Sequence, residues 1–209
     1  EACSIALPGV LATRQAAIEE MEKQEFTGDL CLRVDDDTIL EPNYIEKLVE
    51  GISAGYDVVS GLTPLVAGVE VMRETKNVGP VMSPLVISES GDLLKVGDEQ
   101  AFVYDEERII PTHHFRSSAL YRRELHTKAG IDYKYGLSPV GFREELWFST
   151  KARLAGYKLA VHTGARYYHF QTSSGGCRYP DYATYVSLDE QRMRDWFKRK
   201  SAELKEVKA

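Results

Sequence analysis

The sequence lacks any apolar run of the roughly 18 residues that a membrane-spanning helix requires, and it lacks a secretory leader pattern. It also lacks a basic excess. With a net charge of −6 and a pI near 5.5, an electrostatic grip on nucleic acid is excluded as its organising principle. Cysteine is scarce: Cys3, Cys31 and Cys177 are odd in number and widely spaced, with no C-x-x-C pair. That rules out a disulfide framework or a zinc knuckle and fits thiols in a reducing, cytoplasmic compartment. Internal repeats and low-complexity tracts are missing too. So is a glycine-rich basic phosphate loop, which counts against a nucleotidyltransferase.

What is present is an ordinary globular composition, 43% hydrophobic and 28% charged over 209 residues, suited to one domain spanning 1–209. An acidic chain that handles phosphates must offset its own charge with a metal or a local basic cluster.

Helical spacing over Gly9–Lys23 puts Val10, Ala17, Ile18 and Met21 on one face. Asp29–Val34 reads as a buried strand (Leu30, Cys31, Leu32, Val34). Pro42 then opens a helix with Tyr44, Ile45, Leu48, Val49 and Ile52 on its apolar side. Tyr56–Gly61 completes strand–helix–strand, the grammar of a parallel sheet. Val81–Ile87 and Leu93–Val96 flank the turn Ser90-Gly91-Asp92 as a hairpin, and Ala101–Tyr104 and Ser117–Tyr121 are further strands. Arg143–Leu154 reads as a helix closed by Gly156, followed by two short strands, Tyr157–Val161 and Ala165–Phe170. A capping box, Ser187 with Glu190, opens a charged amphipathic helix to about Val207. The expected class is α/β, with a mixed, mainly parallel sheet flanked by helices. The C-terminal helix is read first as packing on the sheet; contact with a membrane surface and oligomerisation are the alternatives. Ser173-Ser174-Gly175-Gly176 reads either as a mobile lid or as a simple surface loop.

Asp35-Asp36-Asp37 follows the first buried strand. Open α/β sheets bind ligands beyond the carboxyl ends of their strands, and three adjacent carboxylates repel unless a cation or solvent relieves them. Hard divalent ions take carboxylate oxygens and also engage phosphates, so Mg²⁺ or Mn²⁺ fits. Alternation along an extended segment turns Asp35 and Asp37 the same way and Asp36 elsewhere. The competing reading is an acidic loop that caps the next helix. An EF-hand is excluded: counted from Asp35, the sixth loop position is Leu40 and not the glycine that the sharp turn needs. Further on, Glu144-Glu145 opens a helix, where carboxylates either gain from the dipole or serve as a general base. Tyr167-Tyr168-His169-Phe170 ends a strand with a histidine able to complete a metal shell.

The order of these motifs resembles the family 2 glycosyltransferases of the GT-A fold, over residues of about 9–170, with 171–209 forming a loop and the C-terminal helix. The match runs from Gly9–Gln15 through the D-x-D-like Asp35–Asp37 to Ser118–Glu124 and Ala129–Tyr135, then Glu144-Glu145, the Gly156-Tyr157-Lys158 turn and His169. The resemblance implies a Rossmann-related, GT-A-like fold. Asp35, Asp36 and Arg14 would lie at the donor, with Asp37, Asp35 and His169 around Mn²⁺ or Mg²⁺. Glu145, with Glu144 beside it, would be the catalytic base, and Arg122 and Arg123 would lie in the acceptor region. It implies inverting transfer from a UDP- or GDP-linked sugar to a glycan, lipid-linked or small-molecule hydroxyl acceptor. Two departures stand out: Glu-Glu replaces the family's usual Glu-Asp, and no nucleoside-binding strand–helix–strand unit precedes Gly9. The chain therefore reads as starting inside a domain. A truncated, non-catalytic nucleotide- or glycan-binding module is the alternative.

Overall fold

The computed structural model describes residues 9–63, 78–79, 85–87, 93–96, 102–103, 107–115, 117–134, 136–169 and 181–206. Cys3, Cys177, the turn at Ser90-Gly91-Asp92 and the Ser173–Gly176 segment lie outside them. Helix α1 (Val10–Lys23) leads to β1 (Leu30–Arg33), β2 (Thr38–Leu40), α2 (Tyr44–Ser53) and β3 (Val58–Leu62). Two small antiparallel ribbons follow. One pairs β4 (Val78–Gly79) with β7 (Phe102–Val103), and the other pairs β5 (Leu85–Ile87) with β6 (Leu93–Val96). Then come β8 (Ile109–Thr112), β9 (Ala119–Arg122), α3 (Glu124–Thr127), α4 (Glu144–Leu154), β10 (Leu159–His169) and α5 (Tyr182–Glu206).

The principal sheet has the order β1-β9-β3-β10-β2, with β8 also on β10. Its strands are mixed in direction, not mainly parallel as expected. Among the described residues of this sheet, only β3 and β10 pair in parallel; β1–β9, β3–β9, β10–β2 and β10–β8 are antiparallel. The strand–helix–strand unit is real, and β1 and β3 do run the same way. However, β9, far along the chain, inserts between them in the opposite sense.

Each strand serves two faces, as a period of two requires. In β3, Val58 joins a core with Ile18, Phe115, Phe148 and Phe197, while Val59 joins Tyr44, Leu48, Ile52 and Tyr167. Helices α1, α4 and α5 thus cover one face and α2 covers the other, a three-layer arrangement. Gly156, at φ 88, ends α4 in the left-handed conformation expected for it.

Three expectations are corrected. The two short strands after Gly156 are one strand, β10, with a register irregularity between His162 and Arg166. The C-terminal helix starts at Tyr182, so Ser187 and Glu190 lie inside it and no capping box forms there. Strand β2 appears where only a loop was expected.

Strand β1 ends at Arg33 and β2 begins at Thr38, yet they sit at opposite ends of the sheet order. A five-residue step reaches at most about 18 Å. Four flat strand spacings need roughly 19 Å. The sheet therefore curls, and its two ends meet beside the aspartates.

Candidate active site

Asp35 leaves β1, Asp36 and Asp37 make a turn, and Thr38 starts β2. The Thr38 hydroxyl donates to the Asp35 carbonyl at 2.7 Å and locks that turn. It is the turn, not strand alternation, that brings Asp35 and Asp37 together. Thr38 pairs with His169 at the end of β10, so the histidine faces the turn. His169 Nε2 lies 2.9 Å from Asp37 Oδ1, and its Nδ1 lies 3.3 Å from the Ser117 hydroxyl. Ligand atoms of Asp35, Asp37 and His169 all lie within 4.8 Å of one another. Asp37 is 45% exposed at its side chain and Asp36 is also exposed; Asp36 is not part of this group.

Beneath the turn lies a second set of charges. Strand alternation directs Arg33 inward, on the side of Cys31, and leaves Leu32 and Val34 exposed. The Arg33 guanidinium meets the first turn of α4. Its Nη1 donates to Glu144 Oε2 at 3.1 Å, and its Nη2 reaches Glu144 Oε1 and, at 3.2 Å, Glu145 Oε1. Arg14, on α1, contacts Glu144 through Nη1 and donates from Nη2 to Asp35 Oδ1 at 2.8 Å. Arg33 also lies over the rings of Phe115 (5.5 Å) and Tyr133 (6.0 Å), and Arg14 over Tyr133 (5.8 Å).

Burial pulls the Arg33 guanidinium down, but Tyr133, Glu145 and Asp35 more than offset it and hold the pKa above its ordinary value. Arg14 is lowered, by burial and then by Arg33 beside it. Burial raises Glu145, yet Arg33 and then Arg14 outweigh that and hold its carboxyl below the ordinary range. The two glutamates are therefore unequal. Glu144 is 2% exposed and shared between two arginines, a structural anion; Glu145 keeps 24% of its side chain open to solvent.

The structure thus brings Arg14, Asp35, Asp37, His169, Glu144 and Glu145 into one region. It does not bring Arg122 and Arg123 there. Arg122 ends β9 and Arg123 follows it, opposite the start of β1, where Arg122 pairs with Asp57 at 3.1 Å and Arg123 reaches the Phe26 carbonyl. A cavity of about 470 Å³ is also remote, between the end of α4 and the start of β10, with Arg153, His113 and Tyr157 in its wall. Arg33 was missed from sequence. Its signal was a charged residue at an inward position of an otherwise apolar strand, which demands a buried counter-ion.

No protein-family model matches the sequence, and no curated protein matches it. Among solved structures, the chain is similar to GalNAc-T7, crystallised with UDP, GalNAc and Mn²⁺, at 13% identity and a TM-score of 0.55. That likeness covers 91% of this chain and 37% of that one. A197 from STIV also matches, at 16% identity and a TM-score of 0.44, covering 78% and 68% of the two chains. The chain thus spans about a third of the length of GalNAc-T7. The fold is GT-A-like. Among the described residues, no helix is long and apolar enough to cross a membrane.

Proposed function

We propose that this chain carries the diphosphate-binding and catalytic part of a metal-dependent glycosyltransferase, which moves a sugar from a UDP- or GDP-linked donor to an acceptor hydroxyl. The observation that carries this reading is the convergence of Asp35, Asp37 and His169, from the ends of β1 and β10, on one point. The donor set fits the ion. Two carboxylates suit Mg²⁺ and Mn²⁺, and an imidazole tilts the set toward the transition metal. The UDP and Mn²⁺ bound by the structural neighbour agree with it.

Asp35, Asp37 and His169 would hold the cation, which when bound would supply positive charge against the diphosphate leaving group. The chain's own groups do the rest. Arg14 pins Asp35 while the turn presents Asp37. Glu145 is ionised at neutral pH, and its partly open carboxylate accepts the proton of the attacking acceptor hydroxyl. Arg33 and Glu144 form the buried base on which it stands. Inversion at the anomeric carbon follows if the hydroxyl attacks from the face opposite the diphosphate.

A second reading, binding of a nucleotide-sugar without transfer, is favoured by Arg33, whose 3.2 Å contact makes Glu145 a weaker base than a free glutamate. Calorimetry with UDP and GDP, with and without Mn²⁺, tests both readings. Mn²⁺-dependent binding that Asp37→Ala abolishes supports the site; equal affinity with and without EDTA removes the metal from it. Transfer or donor hydrolysis that drops about 10²–10⁴-fold in Glu145→Gln supports the catalytic reading over the binding one. The anomeric configuration of the product, read by NMR, tests inversion.

A further inference from the structure

We infer that Asp189, on the C-terminal helix, is a positioning residue that fixes the arginine of α1 and the glutamates of α4 in mutual register; this rests on the catalytic reading above.

Helix α5 buries a narrow stripe, with Asp189, Met193 and Phe197 inside at four-residue spacing. An apolar residue at the first of these positions would dock the helix equally well. Instead a fully buried carboxylate stands there, and burying a charge is costly unless it is well hydrogen-bonded. Among the described residues, the hydrogen bonds of its carboxylate all go to one loop. Asp189 Oδ1 accepts from the Ser138 amide at 2.7 Å; Oδ2 accepts from the Ser138 hydroxyl at 2.7 Å and the Phe142 amide at 2.9 Å. Next along the helix, Glu190 lies 3.7 Å from Arg143.

That loop is where the two charged helices begin. Its Pro139 carbonyl accepts from the Val10 amide at 3.1 Å, the first residue of α1. Gly9 lies so close to Pro139 that a Cβ would meet the carbonyl oxygen at 2.7 Å, so the contact leaves no slack. At the other end, the Gly141 carbonyl accepts from the Glu144 amide at 3.1 Å, and Arg143 enters α4 through the left-handed region at φ 59, a conformation that must be held. Arg14 lies one turn into α1 and touches Glu144. The carboxylate on α5 therefore clamps the one segment whose displacement would move Arg14 and Glu144-Glu145 apart. Of the metal-facing residues, Asp37 and His169 make no contact with either helix start among the described residues, and Asp35 is reached only through Arg14.

The test is Asp189→Asn, with Ser138→Ala as the milder variant. Asparagine keeps the shape but turns an N–H toward donors, so at least one of the three bonds is lost. The expected result is a folded protein whose Mn²⁺-dependent UDP affinity stays within about threefold, while turnover of the donor falls roughly ten- to a hundredfold. Ser138→Ala moves the same way by less. Unchanged turnover, or binding and turnover lost together in step with the unfolded fraction, overturns the inference. If the wild-type chain neither binds nor turns over a donor, it is the functional reading that fails. The clamp is then decided by the ¹³C titration of the Glu145 carboxyl. A midpoint shifted upward in Asp189→Asn, as Arg33 and Arg14 move off, supports it; an unmoved midpoint overturns it.

Discussion

The two ends of β10 each set a histidine against two carboxylates, and they differ in how the charge is closed. At one end, His162 faces Glu50 and Glu107. Lys47 stands among them, 3.0 Å from Glu50 and 2.8 Å from Glu107. His162 is also committed on both nitrogens: Nδ1 accepts from the Gly164 amide at 3.1 Å, so Nε2 carries the proton that it donates to Glu50 at 3.1 Å. No lone pair is left for a metal. At the other end, His169 faces Asp35 and Asp37, with no lysine between them among the described residues, and Arg14 engages one oxygen of Asp35. Composition alone does not separate the two groups. What separates them is whether the protein provides the cation itself.

The largest effect that would sharpen the contrast lies in the most closed group. Glu144→Ala strips the counter-charge from two buried guanidiniums and is expected to cost about 3–5 kcal/mol in urea unfolding. A loss below about 1 kcal/mol would mean that this ion network is not the support described. The two histidines should then part company. His162→Ala leaves the buried Gly164 amide without its acceptor and costs about 1–3 kcal/mol of stability, with Mn²⁺ affinity unchanged. His169→Ala should shift stability by no more than about 0.5 kcal/mol and weaken Mn²⁺ by more than the roughly 10–100-fold that an outer-shell loss costs. Reversed results, read by melts and Mn²⁺ titration, would exchange the roles of the two ends. Lys47→Met attacks the contrast from its closed side. No Mn²⁺ site should appear at Glu50 and Glu107, because the imidazole stays committed; a new site seen by EPR would show that the lysine alone kept the metal out.

The smallest effects are those of pH. Hydrogen bonding to Lys47 first, and then to His162, holds Glu50 below its ordinary pKa against an opposing desolvation. A depressed carboxylate contributes stability above its unfolded value, near 4.3, and loses it as the pH falls through the lower folded value. The same sign applies to Glu145 through Arg33 and Arg14. The acid limb of kcat/KM should therefore lie below about 4.3. A limb at or above the ordinary glutamate value would place the titrating base elsewhere.

Much of this was legible in the sequence where the cause is local. Helices α1 and α2 and strands β1 and β3 follow from apolar runs and spacing and α4 from its closing Gly156, and Asp35–Asp37 stands out because acids seldom crowd behind an apolar strand; β1 is nevertheless an edge strand, with Leu30 and Leu32 exposed rather than buried. What was not legible depends on pairing across the chain. The insertion of β9 between β1 and β3 leaves no trace in either segment, so the parallel grammar misled. β2 is three residues long and amounts to a turn until it meets β10. Glycine at position 164 made one strand look like two. Arg33 and Asp189 are polar residues in apolar patterns, and their partners lie 111 and 51 residues away. Spacing rules see only neighbours along the chain.

That separation has a kinetic side. The acids of the site enter with β1, but the imidazole beside them arrives with the last residue of β10, and Glu144 meets Arg33 only after the intervening segments have ordered. Closing such loops costs entropy before any contact repays it, so chains built this way fold slowly. During synthesis, Asp35 and Asp37 emerge long before the residues that complete their constellation. Metal affinity would then be among the last properties the chain acquires, and its appearance in a refolding experiment would time the closure of the curled sheet.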